Sequence, residues 1–171
     1  MVDWSARSTP SPKAPVKDAI YICHSTNLEI QNTEYFRTRQ KALNFVEKLI
    51  ENSLAHQERI FIGFDFSFGY PAGFSKSMTF SSDPFSIWEL LKQEISDSCD
   101  NSNNRFEVAQ RLNSNFDGLG PFWGCPQNLF LDGLPHKGTE RSAHGLSEFR
   151  LCEKFARSTH SVWKLFTTGA V

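Results

Sequence analysis

The stretch that most restricts how this chain folds is Arg59 to Phe74, RIFIGFDFSFGYPAGF. It opens on the apolar run Ile60-Phe61-Ile62-Gly63-Phe64 and then places a single carboxylate, Asp65, at its end. A short apolar run with β-branched and aromatic members predicts a strand buried on both faces, as in the middle of a parallel or mixed sheet. Ser67, Gly69, Pro71 and Gly73 follow, so the strand is expected to end in a tight loop shaped by Gly and Pro. A carboxylate at the end of a buried strand is costly unless it is hydrogen-bonded or holds a cation. In open α/β sheets, ligands lie beyond the carboxyl ends of the strands. Asp65 therefore has two readings at this point: a cap of its own loop or of the next helix, or a functional carboxylate.

A length of 171 residues suits one domain with a real core. Sixteen Phe supply the large apolar areas such a core needs. Charge is balanced, with 18 Lys and Arg against 19 Asp and Glu, which does not favour a dedicated nucleic-acid binder. The four cysteines, Cys23, Cys99, Cys125 and Cys152, are widely spaced and form no CxxC, which predicts reduced thiols in a cytoplasmic protein and neither a zinc module nor a disulfide framework. No apolar stretch approaches the ~20 residues of a membrane span. Met1 is followed at once by Val2-Asp3-Trp4, without the basic start and apolar region of a signal peptide. No membrane partner is expected.

In chain order, Val2 to Trp4 reads as the tail of a strand with Asp3 at its end, short for a central strand. Pro10, Pro12 and Pro15 mark a loop. Ala19 to Cys23 reads as a second strand, and Leu28 to Ile30 as a short third one after a turn at Thr26-Asn27. Thr38 to His56 is the clearest helix, with Ala42, Phe45, Val46, Leu49, Ile50 and Leu54 on one face and Thr33-Glu34 as the entry leading to it. Asp83 and Pro84 predict the N-cap and first position of a second helix, with Ile87, Leu90, Leu91 and Ile95 as its stripe. A short helix capped by Ser102 or Asn103 is expected to carry Phe106, Ala109 and Leu112. Asn115 to Pro126 reads as a rigid loop, and Leu134 to Gly145 as polar and mobile. Ser147 is expected to cap a helix to about Ala156 with Phe149, Cys152 and Phe155 inward, and Ser161 to Phe166 reads as a final strand.

Asp3 and Asp65 carry the most pointed chemical expectation. If their strands lie side by side and parallel, the two carboxylates meet at one end of the sheet. Close carboxylates repel, and a divalent cation is the usual means of keeping both ionised. Mg²⁺ or Mn²⁺ held this way can run hydrolysis of a phosphodiester. The alternative for Asp3, two residues from the terminus, is simple solvation. Glu107 and Glu153 are candidate further acids, with Glu148 beside the latter. Arg105 and Arg150 suit bidentate phosphate binding, with ordinary solvation, or an exposed Arg150–Glu153 pair three apart on a helix, as the alternative. Asn104, in the loop Asn103-Asn104-Arg105, is a candidate for substrate contact. Phe122 and Trp123, set between Gly and Pro, either stack on a base or ring or plug the edge of the core. From His136 to Lys164, six Lys and Arg stand against three Glu, a local excess open to a polyanion or to plain solvation. Cys125 has no His near it in sequence and makes a weak catalytic thiol.

The motifs VDWSA, IGFDFSFGYPAGF, NNRFEVA, GPFWGCP, EFRLCE and SVWKLF, in this order and across nearly the whole chain, resemble an uncharacterised bacterial family. That family is loosely labelled as cobalamin- or molybdopterin-guanine-dinucleotide-biosynthesis proteins, and is distantly similar to expected ribonuclease-H-like nucleases. The resemblance implies one α/β domain over residues 1–171, with a ribonuclease-H-like mixed sheet and flanking helices. It also implies metal-binding acids at Asp3 and Asp65. Family members have more residues before VDWSA and after GAV, so the resemblance implies a chain truncated at both ends.

Two chemical expectations follow. One is a metal-dependent phosphodiester-cleaving or phosphoryl-transfer enzyme using Asp3, Asp65 and Glu107 or Glu153, with Arg105 and Arg150 on phosphate. The other is a nucleotide- or cofactor-binding accessory protein in cobalamin or molybdopterin cofactor metabolism, relying on Phe122 and Trp123. A third expectation is a non-catalytic scaffold or a fragment that requires further chain. The oligomeric state is open.

Overall fold

A computed structural model describes residues 1–26, 29–140, 144–156 and 159–165. The chain is mixed α/β, with a small three-stranded antiparallel sheet and five helices among these residues. It forms two compact units: Met1–Phe66 with Asp97–Asn103, and Ser67–Ser96 with Asn104–Val171.

In the first unit the sheet order is β1 (Val2–Asp3), β2 (Ile20–Thr26), β3 (Glu29–Phe36). Val2 pairs with Ile22 and Asp3 with Tyr21; β2 and β3 pair from Ile20↔Phe36 onward with a register shift at His24/Ser25. Helix α1 (Arg39–Ala55) follows, its first turn closed by Thr38, whose hydroxyl accepts from the Lys41 amide. The helix spans the expected stretch, but Thr33 and Glu34, expected as its entry, are strand residues of β3. The third strand is correspondingly longer than expected, and Leu28 lies outside the described residues. Val2, Ile20 and Ile22 from the sheet and Ala42 and Val46 from α1 make the core, with Phe45, Ile62 and Phe64 packed against it. This is the union of a strand face of period two and a helix face of period 3.6.

The run Ile60–Phe64 is not the doubly buried strand its composition predicts. It returns beside β1 in the parallel sense through one bridge, Val2↔Phe64, with the Val2 amide donating to Gly63 at 2.7 Å and the Asp65 amide donating to Val2 at 3.2 Å. Ile62 and Phe64 are partly buried, but Phe61 is 96% exposed. Among the described residues, Ile62 and Phe64 pack against the core of this unit while Phe61 stands in solvent.

In the second unit, the Gly/Pro loop expected after Asp65 leads into α2 (Phe74–Thr79), a helix that the sequence reading does not predict. Helix α3 (Pro84–Glu94) starts as predicted, with the Asp83 carboxylate accepting from the Phe85 amide and Pro84 at its first position. Helix α4 (Arg105–Asn113) buries Phe106, Ala109 and Leu112 as expected, and is preceded by Asn104 rather than capped by Ser102 or Asn103. Helix α5 (Leu151–Phe155) departs further from expectation: it starts after Arg150, Cys152 is exposed, Phe155 is 89% exposed, and the buried residue is Glu153. Leu134 and Pro135, in a stretch that reads as polar, are buried. Ser161–Leu165 is a turn with one parallel bridge, Trp123↔Lys164, rather than a strand, and Phe166 lies outside the described residues. Gly120 is required as glycine. Its φ is +61°, and a Cβ there would stand 2.7 Å from the backbone and side chain of Asn113.

Candidate functional site

Asp3 closes β1, and Asp65 follows the bridge that holds the return segment parallel to it. The pairing Val2↔Phe64 puts the two aspartates one residue beyond the same rung, so their carboxyls emerge side by side. They are within hydrogen-bonding reach of each other, and one Asp65 oxygen also accepts from the Trp4 amide at 2.9 Å. That amide fixes the orientation of Asp65. Partial burial, then the hydrogen bond and charge of Asp65, then the charge of Asp18 hold the Asp3 carboxyl above its ordinary value of 3.8. Asp3 thus resists taking up its negative charge beside Asp65.

Asp18 is the acid that sequence reading missed. It sits just before β2, accepts from the Ser5 hydroxyl at 3.4 Å and faces Arg7 at 3.7 Å. Its only signal in the sequence is its place before the Ala19–Cys23 strand, which points to Asp3 once β1 and β2 are known to be antiparallel. Trp4, Phe64 and Phe66 form a ring cluster beside the pair, with centroids 4.9 to 6.3 Å apart.

Two carboxyl groups facing each other at one end of the sheet fit a hard divalent cation that completes its shell with water and phosphate oxygens. Among the described residues no three His, Cys, Asp or Glu side chains converge as a metal-holding group. The pair would therefore provide a two-carboxylate platform rather than a protein cage.

The other candidate residues belong to the second unit. Arg150 and Glu153 come together, but as a structural pair. One Glu153 oxygen accepts from the Arg150 guanidinium at 2.8 Å and the other from the Arg150 amide at 2.8 Å. Arg150 also donates to the Ser67 hydroxyl at 3.0 Å. Burial pushes the Glu153 carboxyl up, but the two hydrogen bonds and the charge of Arg150 outweigh it and hold the group below the ordinary glutamate range. The contribution of Glu153 to stability is then present above the unfolded-state pKa and is lost as pH falls through the lower folded value. Glu153→Gln is expected to cost about 1–3 kcal/mol at neutral pH, a cost that shrinks as pH falls below the ordinary glutamate range, read from urea unfolding across a series of pH values.

Glu107 is exposed in the first turn of α4. Arg105 lies with its guanidinium 4.4 Å from the centroid of the Phe106 ring. The Asn104 side chain ties the end of α3 down, accepting from the Ser96 amide at 2.8 Å and donating to Glu94 at 3.0 Å. Phe122 is 2% exposed and is part of the core. Lys164 lies 5.3 Å from the centroid of the Trp123 ring, and Gly138 packs so closely that a Cβ would stand 3.1 Å from it. His136 bonds the Cys125 carbonyl at 2.8 Å, a neighbour hidden from the linear sequence, but burial pushes the Cys125 thiol up and away from thiolate chemistry. Arg141 and Arg157 of the basic stretch lie outside the described residues.

No protein family, curated protein or solved structure matches this chain. No helix among the described residues is long and apolar enough to cross a membrane.

Proposed function

We propose that the chain is a divalent-cation-dependent phosphodiester-cleaving or phosphoryl-transfer protein of the ribonuclease-H-like class, with Asp3 and Asp65 holding Mg²⁺ or Mn²⁺. The observation that carries this reading is the contact between the two carboxylates at the matched ends of β1 and its parallel neighbour. Three antiparallel strands, a helix and a return beside β1 in the parallel sense support the class. Bound at this pair, the cation would act as a Lewis acid on a phosphoryl oxygen and lower the pKa of a coordinated water. The chain's own contribution is to hold the ligands: the Trp4 amide orients Asp65, and β1 positions Asp3. Asp3 must give up its proton for both carboxylates to serve, so cation affinity falls as pH is lowered toward its raised pKa.

The test is calorimetric titration of Mg²⁺ and Mn²⁺ into the chain and into Asp65→Asn. The asparagine keeps an acceptor for the Trp4 amide and removes one negative charge. Saturable binding in the wild type that is lost in the variant is expected, followed by hydrolysis assays on DNA, RNA and nucleotides. Equal heats in both proteins, or none in the wild type, would remove Asp3 and Asp65 from metal chemistry.

A further inference from the structure

The run of residues 3–7 gathers three carboxyl groups and one guanidinium at one end of the sheet. Asp3 faces Asp65, and the Trp4 amide donates to Asp65 at 2.9 Å. The Ser5 hydroxyl donates to one Asp18 oxygen at 3.4 Å, and the Arg7 guanidinium lies 3.7 Å from the other. Asp18 stands just before β2, whose Tyr21 pairs with Asp3, and its charge acts on Asp3. All of these groups belong to the first unit.

The backbone of Arg7 is pinned on both sides. Its amide donates to the hydroxyl of the buried Ser5 at 3.3 Å, and its carbonyl accepts from Arg39 at 2.8 Å. The side chain is held much less firmly. Asp18 is the partner of its guanidinium among the described residues, and the two side chains are 32% and 72% exposed. An ion pair this open, at 3.7 Å, contributes little. A planar guanidinium fork matches two phosphate oxygens and binds them through charge-assisted hydrogen bonds, which are stronger than such a contact. The neighbouring arginines are already committed: Arg37 donates to the Ser11 carbonyl at 2.6 Å, and Arg39 to the Asp97 carboxylate. Arg7 therefore combines a fixed origin beside the acid pair with a head group that exchanges partners at small cost.

We infer, on the cation reading of Asp3 and Asp65, that Arg7 binds the phosphate group of a ligand seated at that pair, and that Asp18 competes with the phosphate for the guanidinium. Asp18 then keeps Arg7 oriented while the site is empty and gives it up to phosphate. The rival account is purely structural, with the Arg7–Asp18 pair closing the neck of the loop of residues 8–17. The two accounts separate at Asp18. Opening a neck from either side has the same consequence, whereas removing a competitor acts opposite to removing the binding group.

The test keeps the whole chain in excess over Mn²⁺, follows the free ion by electron paramagnetic resonance, and follows inorganic phosphate by ³¹P line broadening. Broadening beyond that seen with Asp65→Asn reports phosphate beside the bound ion. Arg7→Gln is expected to keep Mn²⁺ bound and to weaken phosphate roughly tenfold, the scale of a hydrogen bond to a charged group. Arg7→Lys keeps the charge without the fork, and a loss of about threefold is expected. Asp18→Asn is expected to tighten phosphate roughly twofold to fivefold, the share of one exposed ion pair. Circular dichroism confirms the fold of each variant. Mn²⁺ binding with equal phosphate affinity in the wild type and Arg7→Gln, or phosphate weakened by Asp18→Asn as by Arg7→Gln, would overturn the role of Arg7 and leave the cation site standing. Absence of Mn²⁺ binding to the wild type would overturn both.

Discussion

Trp163→Ala is expected to destabilise the second unit by about 4 kcal/mol, the scale for removing a large aromatic side chain from a packed core. Trp163 is fully buried. Its ring lies edge-on to Phe74 at 5.0 Å and to Phe122 at 5.2 Å, and stacks on Tyr70 at 5.3 Å. Its indole N–H donates to the Ser147 carbonyl at 3.0 Å. The alanine loses the apolar contacts, leaves a cavity between three rings and deprives a carbonyl of its donor, and these effects act in the same direction. Trp163→Phe keeps most of the ring area but not the N–H, so about half the loss is expected. Urea unfolding followed by circular dichroism reads both values. A loss below about 1 kcal/mol for the alanine would show that the cluster does not hold this unit together. Against a typical total of about 5–15 kcal/mol, the expected loss leaves little folded protein to spare.

The cluster around Trp163 also shows where sequence reading stops. Its members come from positions 70, 74, 122 and 163, and no local spacing connects them. Local signals served well where the physics is local. Thr38 and the Ala42 and Val46 part of the stripe of α1, and the Asp83-Pro84 start of α3, are set by capping and by helical period, while Leu54 at the end of that stripe is exposed. The meeting of Asp3 and Asp65 was legible from element order, because a strand that returns after one helix commonly lies parallel beside the first. Burial was not. The apolar run at 60–64 states that its residues can be buried, not that both faces find neighbours, and Phe61 is left exposed among the described residues. The α5 region fails for another reason. Phe149, Cys152 and Phe155 have inward spacing, yet Glu153 is the residue enclosed, because Arg150 satisfies both of its oxygens. A paired charge is invisible to hydrophobic periodicity. Asp18 needed the β1–β2 register before its charge could be assigned to the acid pair.

Arg39→Met is expected to cost the first unit about 3 kcal/mol, the lower end of the range for removing one partner of a buried ion pair. The lower end applies because Asp97 is 41% exposed and recovers water, whereas Arg39 is 8% exposed. A cation in the first turn of a helix opposes the helix dipole, a cost of about 0.3–1 kcal/mol. Its bonds must therefore do more than offset that. All five guanidinium donors are used: two on the Asp97 carboxylate and one each on the carbonyls of Asn101, Arg7 and Ser5. The backbone amide of Arg39 adds a bond to the Asn101 side chain at 2.8 Å. This one side chain thus binds Asp97–Asn103, distant in sequence, to α1 and to the loop after β1. Methionine matches the volume but satisfies none of these acceptors. Lysine keeps the charge, yet its three donors on a flexible stem cannot reproduce a planar fork with five, so Arg39→Lys is expected to lose most of the same stability. Amide exchange separates this account from a purely electrostatic one. If the five-bond fork is the cause, protection at Asn101 and Ser102 collapses in both variants. If charge alone matters, lysine restores it.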